Sequence, residues 1–349
     1  MRKSISRKFM FMMVAALALV LAACSSNEAT NSNATSTNAT DTSTSTSAAT
    51  PATPSTVEIT DAHGTVTVPV NPTNVVALDN RTFETLANWD VKLAAVPKDV
   101  MPGNSPYVAD EAVQNIGNHR EPNLELLASI QPDLVIVGQR FSGFYEDIKK
   151  LVPNAAVIDL TFDVSAEAGT PGENLVNGFK DTTTSLGKIF DKEEEASQLN
   201  AEFDKSIEAA KAAYNGKDTV MSVIVSAGDI GFSAPHSGRV WGPLYEIFNW
   251  VPALEVDKSS ADHQGDDISV EAIAQSNPDW IFVLDRDAAI SSDEASVPAQ
   301  DVIDNAPALK NTTAITKGQI MYAPNDTYTN ESIETFIKIF NNLSETLAK

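Results

Sequence analysis

The sequence predicts an α/β protein built as two similar lobes joined by a single long helix, with a ligand cleft between the lobes. Three observations carry this. From Val57 onward short β-rich runs alternate with helical stretches, the pattern of strands joined by helices. An eighteen-residue unit occurs twice, 146 positions apart, at Asn123–Arg140 and Ser269–Arg286. Between the copies runs a proline-free stretch, about Glu173 to Asp191, with Leu175, Phe179, Leu186, Ile189 and Phe190 at roughly helical spacing.

Arg2, Lys3, Arg7 and Lys8 precede fifteen uncharged residues from Phe9 to Ala23. That run is shorter than the roughly 20 residues a membrane span needs, and it fits the apolar part of an export signal. It ends Leu21-Ala22-Ala23-Cys24, small residues before the one cysteine of the chain. Residues 1–23 are therefore expected to be a lipoprotein signal peptide, with Cys24 carrying the lipid; an ordinary signal beside a chance cysteine is the competing explanation. Residues 25–56 contain only Ser, Thr, Asn and Ala apart from Glu28, Asp41, Pro51 and Pro54. Such a stretch cannot bury apolar surface, so 24–56 reads as a lipid-anchored disordered tether.

The first lobe is placed at 57–172, with strands expected at Val75–Leu78, Leu134–Val137 and Ala156–Asp159 and helices at Phe83–Asn88, Leu124–Ser129 and Phe144–Leu151. The connecting helix is placed at 173–191 and the second lobe at 192–349, with strands at Val220–Val225, Trp280–Leu284 and Gln319–Tyr322. Its helices are expected at Lys192–Tyr214, Val270–Gln275 and Ser332–Leu347. The repeated unit reads as a short helix, a Pro-Asp breaker, a buried strand and an arginine. Six of its eighteen positions are identical, among them Glu125/Glu271, Asp133/Asp279 and Arg140/Arg286. Trp280 and Phe282, mid-strand, read as core.

Composition excludes several functions. The 24 Lys and Arg against 47 Asp and Glu give a net charge of −23, unsuited to nucleic acid. A lone cysteine allows neither an internal disulfide nor a cysteine-based zinc site. No nucleophile elbow, phosphate-binding loop, HExxH or dinucleotide fingerprint is present.

Ligands of open α/β sheets sit beyond the carboxyl ends of the strands. Arg81, Arg140 and Arg286 each fall just past a predicted strand, and Arg239 lies in the Gly/Pro-rich loop Ala234–Pro243. Guanidiniums converging on one pocket suit a multiply charged oxyanion. The competing explanation is a local ion pair for each, and for Arg120, beside Glu121, a surface pair is expected. Glu125 and Glu271 open matched helices, where a carboxylate is favoured by the helix N-terminus; a pair of exposed carboxylates, one per lobe, also suits docking to a dimeric partner. His263 lies in a polar loop and reads as somewhat closer to solvent than to the cleft.

With the cysteine motif, the tether, the Arg120-Glu-Pro-Asn-Leu-Glu125 stretch and the two Pro-Asp-strand-Arg units assembled, residues 57–349 resemble the iron–siderophore-binding lipoproteins of ABC importers, which have the helical-backbone periplasmic-binding-protein fold. Within them the sequence is most similar to the binders of ferric catecholate and petrobactin-type siderophores, through Gly138-Gln-Arg140, Pro235-His-Ser-Gly-Arg239 and Val283-Leu-Asp-Arg286. The resemblance implies that Arg140, Arg239 and Arg286 hold the oxygens of a trianionic ferric complex. It also implies that His263 and Tyr328 can reach iron when the siderophore leaves coordination positions open, although here the order is His-Gln-Gly and the family's Trp-Tyr pair is lacking. Arg81 departs from the subgroup, which has a small or apolar residue there. Glu125 and Glu271 match the docking glutamates, implying an ABC permease dimer with its ATPase as partner.

The expected protein is thus a non-enzymatic monomer on the outer face of the cell membrane. It has no cofactor and no directly held metal, and ferric iron enters only as a siderophore complex. Haem, cobalamin or a hydroxamate siderophore on the same fold are the alternatives, with a surface-anchored hydrolase or adhesin behind them.

Overall fold

The computed structural model describes residues 55–256, 259–290 and 296–348. The leader at 1–23, Cys24 and the tether up to residue 54 lie outside them. An antiparallel hairpin, β1 (Thr56–Asp61) and β2 (Gly64–Pro69), comes first. Its inward positions Ile59 and Val68 are buried against the first sheet, as alternation of apolar and polar residues dictates.

That sheet is parallel and five-stranded: β3 (Val75–Ala77), β4 (Ala95–Val96), β5 (Gln114–Asn115), β6 (Leu134–Val137) and β7 (Ala156–Asp159), in the order β5-β4-β3-β6-β7. The second sheet contains β8 (Thr219–Ser226), β9 (Asp229–Phe232), β10 (Val251–Pro252), β11 (Trp280–Asp285) and β12 (Ile320–Tyr322). Its parallel order is β10-β8-β11-β12, with β9 antiparallel to β8. Every residue of β6 and β11 is buried, which is why β6 is an unbroken apolar run and β11 is one up to its last residue, Asp285. In each sheet the strand order reverses between the two central strands, β3/β6 and β8/β11. A crevice must open beyond their carboxyl ends.

The repeated unit has one structural meaning in both copies. Asn123 caps the helix Leu124–Ile130 by accepting from Leu126 N (2.9 Å), and Ser269 caps Val270–Ser276 by accepting from Ala272 N (3.2 Å). Both helices end on a left-handed residue, Gln131 (φ 49°) and Asn277 (φ 47°). The aspartate after each proline then ties the start of one central strand to the other: Asp133 accepts from the backbone N–H groups of Thr73 (3.1 Å) and Asn74 (2.9 Å), Asp279 from that of Thr219 (2.9 Å).

The long helix runs Pro171–Phe190 and ends at Asp191 (φ 55°). Leu175 and Phe179 are buried in the core of the second sheet, whereas Leu186, Ile189 and Phe190 are buried in that of the first. One helix thus belongs to both cores. The chain turns back through the helix Glu193–Ala213, and Gly187 permits the approach, since a Cβ there would lie 2.7 Å from that of Ala196. The C-terminal helix Ile333–Leu347 packs alongside, joining Phe336 and Phe340 to Phe179, Phe203 and Phe248. No helix among the described residues is long and apolar enough to cross a membrane.

A polar clasp joins the first-lobe helix Phe83–Asn88 to this last helix. Glu84 accepts from Lys338 Nζ (2.6 Å), Asn330 Nδ2 (2.8 Å) and Ser332 Oγ (3.0 Å), and Glu334 reciprocally accepts from Thr85 Oγ1 (3.0 Å).

Candidate functional site

The crevices of the two sheets merge into one cleft of about 520 Å³, within the range of small-molecule sites. Its basic wall is assembled from segments distant in sequence. Arg140 follows β6 on a tight turn, and Gly138 before it is required because any Cβ would strike the Asp79 side chain. Arg286 begins the short helix after β11 and donates to Ser226 Oγ (3.0 Å) across the β8/β11 crevice. Arg239 comes from a loop folded back on itself, with Gly238 N donating to Ala234 O (2.8 Å) and His236 N to Gly242 O (3.0 Å). This loop follows β9 rather than β8, because the chain doubles back as an antiparallel strand first.

Tyr328 lies at the focus. The guanidinium carbons of Arg239, Arg286 and Arg140 are 4.4, 5.1 and 5.3 Å from its ring centroid. Arg140 Nη2 also donates to the Tyr328 carbonyl (3.0 Å). The ring is almost wholly buried and serves as an aromatic seat that spaces the three cations. His263, half-exposed, lines the same cleft, its Nδ1 3.7 Å from Asp262 Oδ1. Among the described residues no group of three or more His, Cys, Asp or Glu side chains is placed to hold a metal.

Arg81 does not line this cleft. It is 7 % exposed, lies against the Phe162 ring (3.8 Å) and donates to Phe162 O (3.2 Å), with the ring backed by Gly178. Asp79 and Glu331 draw it inward; burial lowers its pKa and the two carboxylates oppose that. The position after a strand is as expected, but the side chain turns into the protein. Arg120 behaves in the opposite way. It lines the cleft, and no ion pair joins it to Glu121 among the described residues. Beside it His119 has its pKa pushed down by burial and by Arg140, Arg120 and Arg239, which favours the neutral ring.

Glu331, not foreseen from sequence, pairs with Arg239 Nη2 and accepts from Gln139 Nε2 (2.9 Å). Burial pushes its carboxyl up, but Arg239, Arg81, Arg140 and the Gln139 amide outweigh this and hold it below the usual range. Glu125 and Glu271 are exposed, each in the first turn of its matched helix.

Asp79 carries a pH signature. Burial raises its pKa from 3.8 to about 6 against the pull of Arg81. Between those values the folded chain holds a proton that the unfolded chain releases, so stability declines as pH rises across the window and stays lower above it. The loss is of the order of 2–3 kcal/mol. Asp79→Asn should flatten this slope, as urea denaturation at pH 4.5 and 7.5 will show; an unchanged slope excludes Asp79 as its source.

Comparison with known proteins agrees with this geometry. The family model described as periplasmic binding protein matches residues 75–327. The chain belongs to the periplasmic binding protein family. This periplasmic binding protein is 29 % identical over 271 residues to the petrobactin-binding protein YclQ of Bacillus subtilis, covering 77 % of the chain and 79 % of YclQ. The crystal structure of YclQ superposes with a TM-score of 0.70 at 26 % identity, over 84 % of this chain and 99 % of that one. The ferric-anguibactin-binding protein FatB of Vibrio anguillarum is 26 % identical over 271 residues, 76 % of this chain and 79 % of FatB. The Fe(3+)-citrate-binding protein YfmC of Bacillus subtilis is 25 % identical over 274 residues, 78 % and 79 % of the two chains. The family is one of extracytoplasmic binding proteins, and the two α/β lobes with a cleft between them are its architecture.

Proposed function

We propose that this periplasmic binding protein captures an anionic ferric siderophore, of catecholate type, and hands it to an ABC permease for iron uptake. The observation that carries the reading is the convergence of Arg140, Arg239 and Arg286 on Tyr328 inside the cleft. Guanidiniums donate in a fixed fork to paired oxygens, and a ferric catecholate presents such pairs on a trianionic surface. The names of YclQ, FatB and YfmC, each a binder of a ferric chelate or its siderophore, support the same class. The protein acts by binding and delivery rather than by catalysis. Arg120 and His119 extend the wall of the cleft, and His263 borders it.

The test is quenching of tryptophan fluorescence on titration with ferric chelates. Each charge-assisted contact is worth about 1.5–3 kcal/mol, so a ferric triscatecholate should bind at least about tenfold tighter than a neutral ferric trihydroxamate. Equal affinities, or binding of haem alone, remove the catecholate assignment.

Cys24 would tether the protein to the outer face of the membrane, and Glu125 and Glu271 would engage the permease. Both glutamates are exposed and stand on helices that repeat one another in sequence and capping. The double variant Glu125→Ala/Glu271→Ala should keep ligand affinity within about twofold, since exposed charges contribute little to a screened, separate site. Uptake of radioactive iron by cells should nevertheless fall. Wild-type uptake by that variant would reduce the pair to helix-terminal charges.

A further inference from the structure

An anion is already built into the cationic site. Behind Arg239 lies a smaller chamber of about 120 Å³, whose lining includes Arg81, Gln139, Ser237, Arg239 and Glu331. The Glu331 carboxylate is 5 % exposed and takes one nitrogen of Arg239 from the side away from the main cleft. It cannot swing out readily. Its neighbours Asn330 and Ser332 are both fastened to Glu84, at 2.8 and 3.0 Å, and Thr329 O accepts from Asn80 Nδ2 at 2.6 Å. Gln139 holds its other oxygen.

Three guanidiniums crowded round one ring, with Arg81 behind them, repel one another. A fixed carboxylate relieves that repulsion before any ligand arrives. It also cancels one unit of the positive potential the ligand meets. We propose that Glu331 is the residue that sets the charge preference of the cleft: it holds Arg239 ready in the empty protein and limits how strongly a highly charged anion is favoured over a neutral one. This rests on the reading above that the ligand is an anionic ferric chelate.

The two functions separate in a conservative variant. Glu331→Gln keeps the shape and an oxygen for Arg239 while removing the charge, and the Gln139 amide can turn to match. Even with the charges screened to a water-like dielectric, loss of one like charge near the site should raise affinity for a trianionic ferric triscatecholate by at least about tenfold. The gain should shrink as salt is raised. Affinity for a neutral ferric trihydroxamate should stay nearly constant, so the ratio between the two ligands widens. Glu331→Asp, which keeps the charge, should retain the wild-type ratio even where absolute affinity changes.

If Glu331→Gln weakens both ligands alike, or leaves their ratio unchanged, Glu331 is only a structural prop and the proposal fails. Metal-free citrate, a trianion at pH 7.5, provides an arm that does not depend on the siderophore. Should the wild type ignore every ferric chelate, the functional reading falls. A gain in citrate binding by Glu331→Gln would still establish the charge role, and no gain would overturn it.

Discussion

Arg286→Ala lowers affinity for a ferric triscatecholate roughly ten- to a hundredfold, the range set by losing a charge-assisted contact of about 1.5–3 kcal/mol. Arg286 is the cleanest of the three to test, because its one side-chain hydrogen bond among the described residues goes to the Ser226 hydroxyl, not to the Tyr328 backbone or the buried Glu331. Its removal should therefore spare the fold, and thermal melting of the ligand-free variant should stay close to wild type. Arg140→Ala should lose a similar factor and also the contact to the Tyr328 carbonyl. Arg239→Ala is harsher: it strands Glu331 as a buried charge without its partner, so stability falls together with affinity. Arg81→Ala forms the contrast, acting on stability through the Phe162 stack and the buried carboxylates rather than by touching ligand. Unchanged affinity in Arg286→Ala, measured by the same titration, would remove the arginine cluster from the binding site.

Phe179→Ala costs about 3–5 kcal/mol of stability, the usual range for truncating a buried phenylalanine. The ring touches Phe162 (5.1 Å), Phe203 (5.8 Å) and Phe336 (4.9 Å), and so joins the long helix to its antiparallel partner, the last helix and the loop after β7. The void cannot collapse easily, since three separate elements would have to move at once. Urea unfolding should show a lower midpoint with little change in slope. A loss under about 1 kcal/mol would mean that the helices close over the gap. Because Phe162 also carries Arg81, a weaker arrangement around Glu331 should accompany the loss, visible as a reduced affinity at temperatures where the variant remains folded.

Much of this was legible because the sequence says it twice. The pairing of Asp133 with Asp279 and of Arg140 with Arg286 marked the starts and ends of the two central strands, and both pairs occupy matched places in the fold. Four-residue apolar runs such as Leu134–Val137 can only be buried strands in this setting. The hairpin at 56–69 carried an alternating pattern of its own, Val57, Ile59, Val66 and Val68, which the polar tether ahead of it obscured. Arg120 is exposed, as a surface arginine should be, but it faces the cleft: β5 is two residues long and leaves no periodic trace, so nothing local says where the following loop points. Arg81 shows the limit of the strand-end rule: it fixes where the backbone goes and not which way a long side chain turns. Glu331 had no signal at all, since its partners Gln139 and Arg239 lie 192 and 92 positions away and meet it only in the folded chain.

The clasp between Glu84 and Lys338 spans 254 positions of sequence. A chain emerging from one end cannot form it until its final helix is out, and closing so long a loop carries an entropic cost that local contacts do not. The two ends of the folded region are therefore married last. During synthesis the first lobe has its strands and hydrophobic core but lacks the last helix, against which Glu84 and Thr85 are clasped. A polypeptide organised in this way stays incomplete while it is being made and acquires its final rigidity only once its last helix is free to dock.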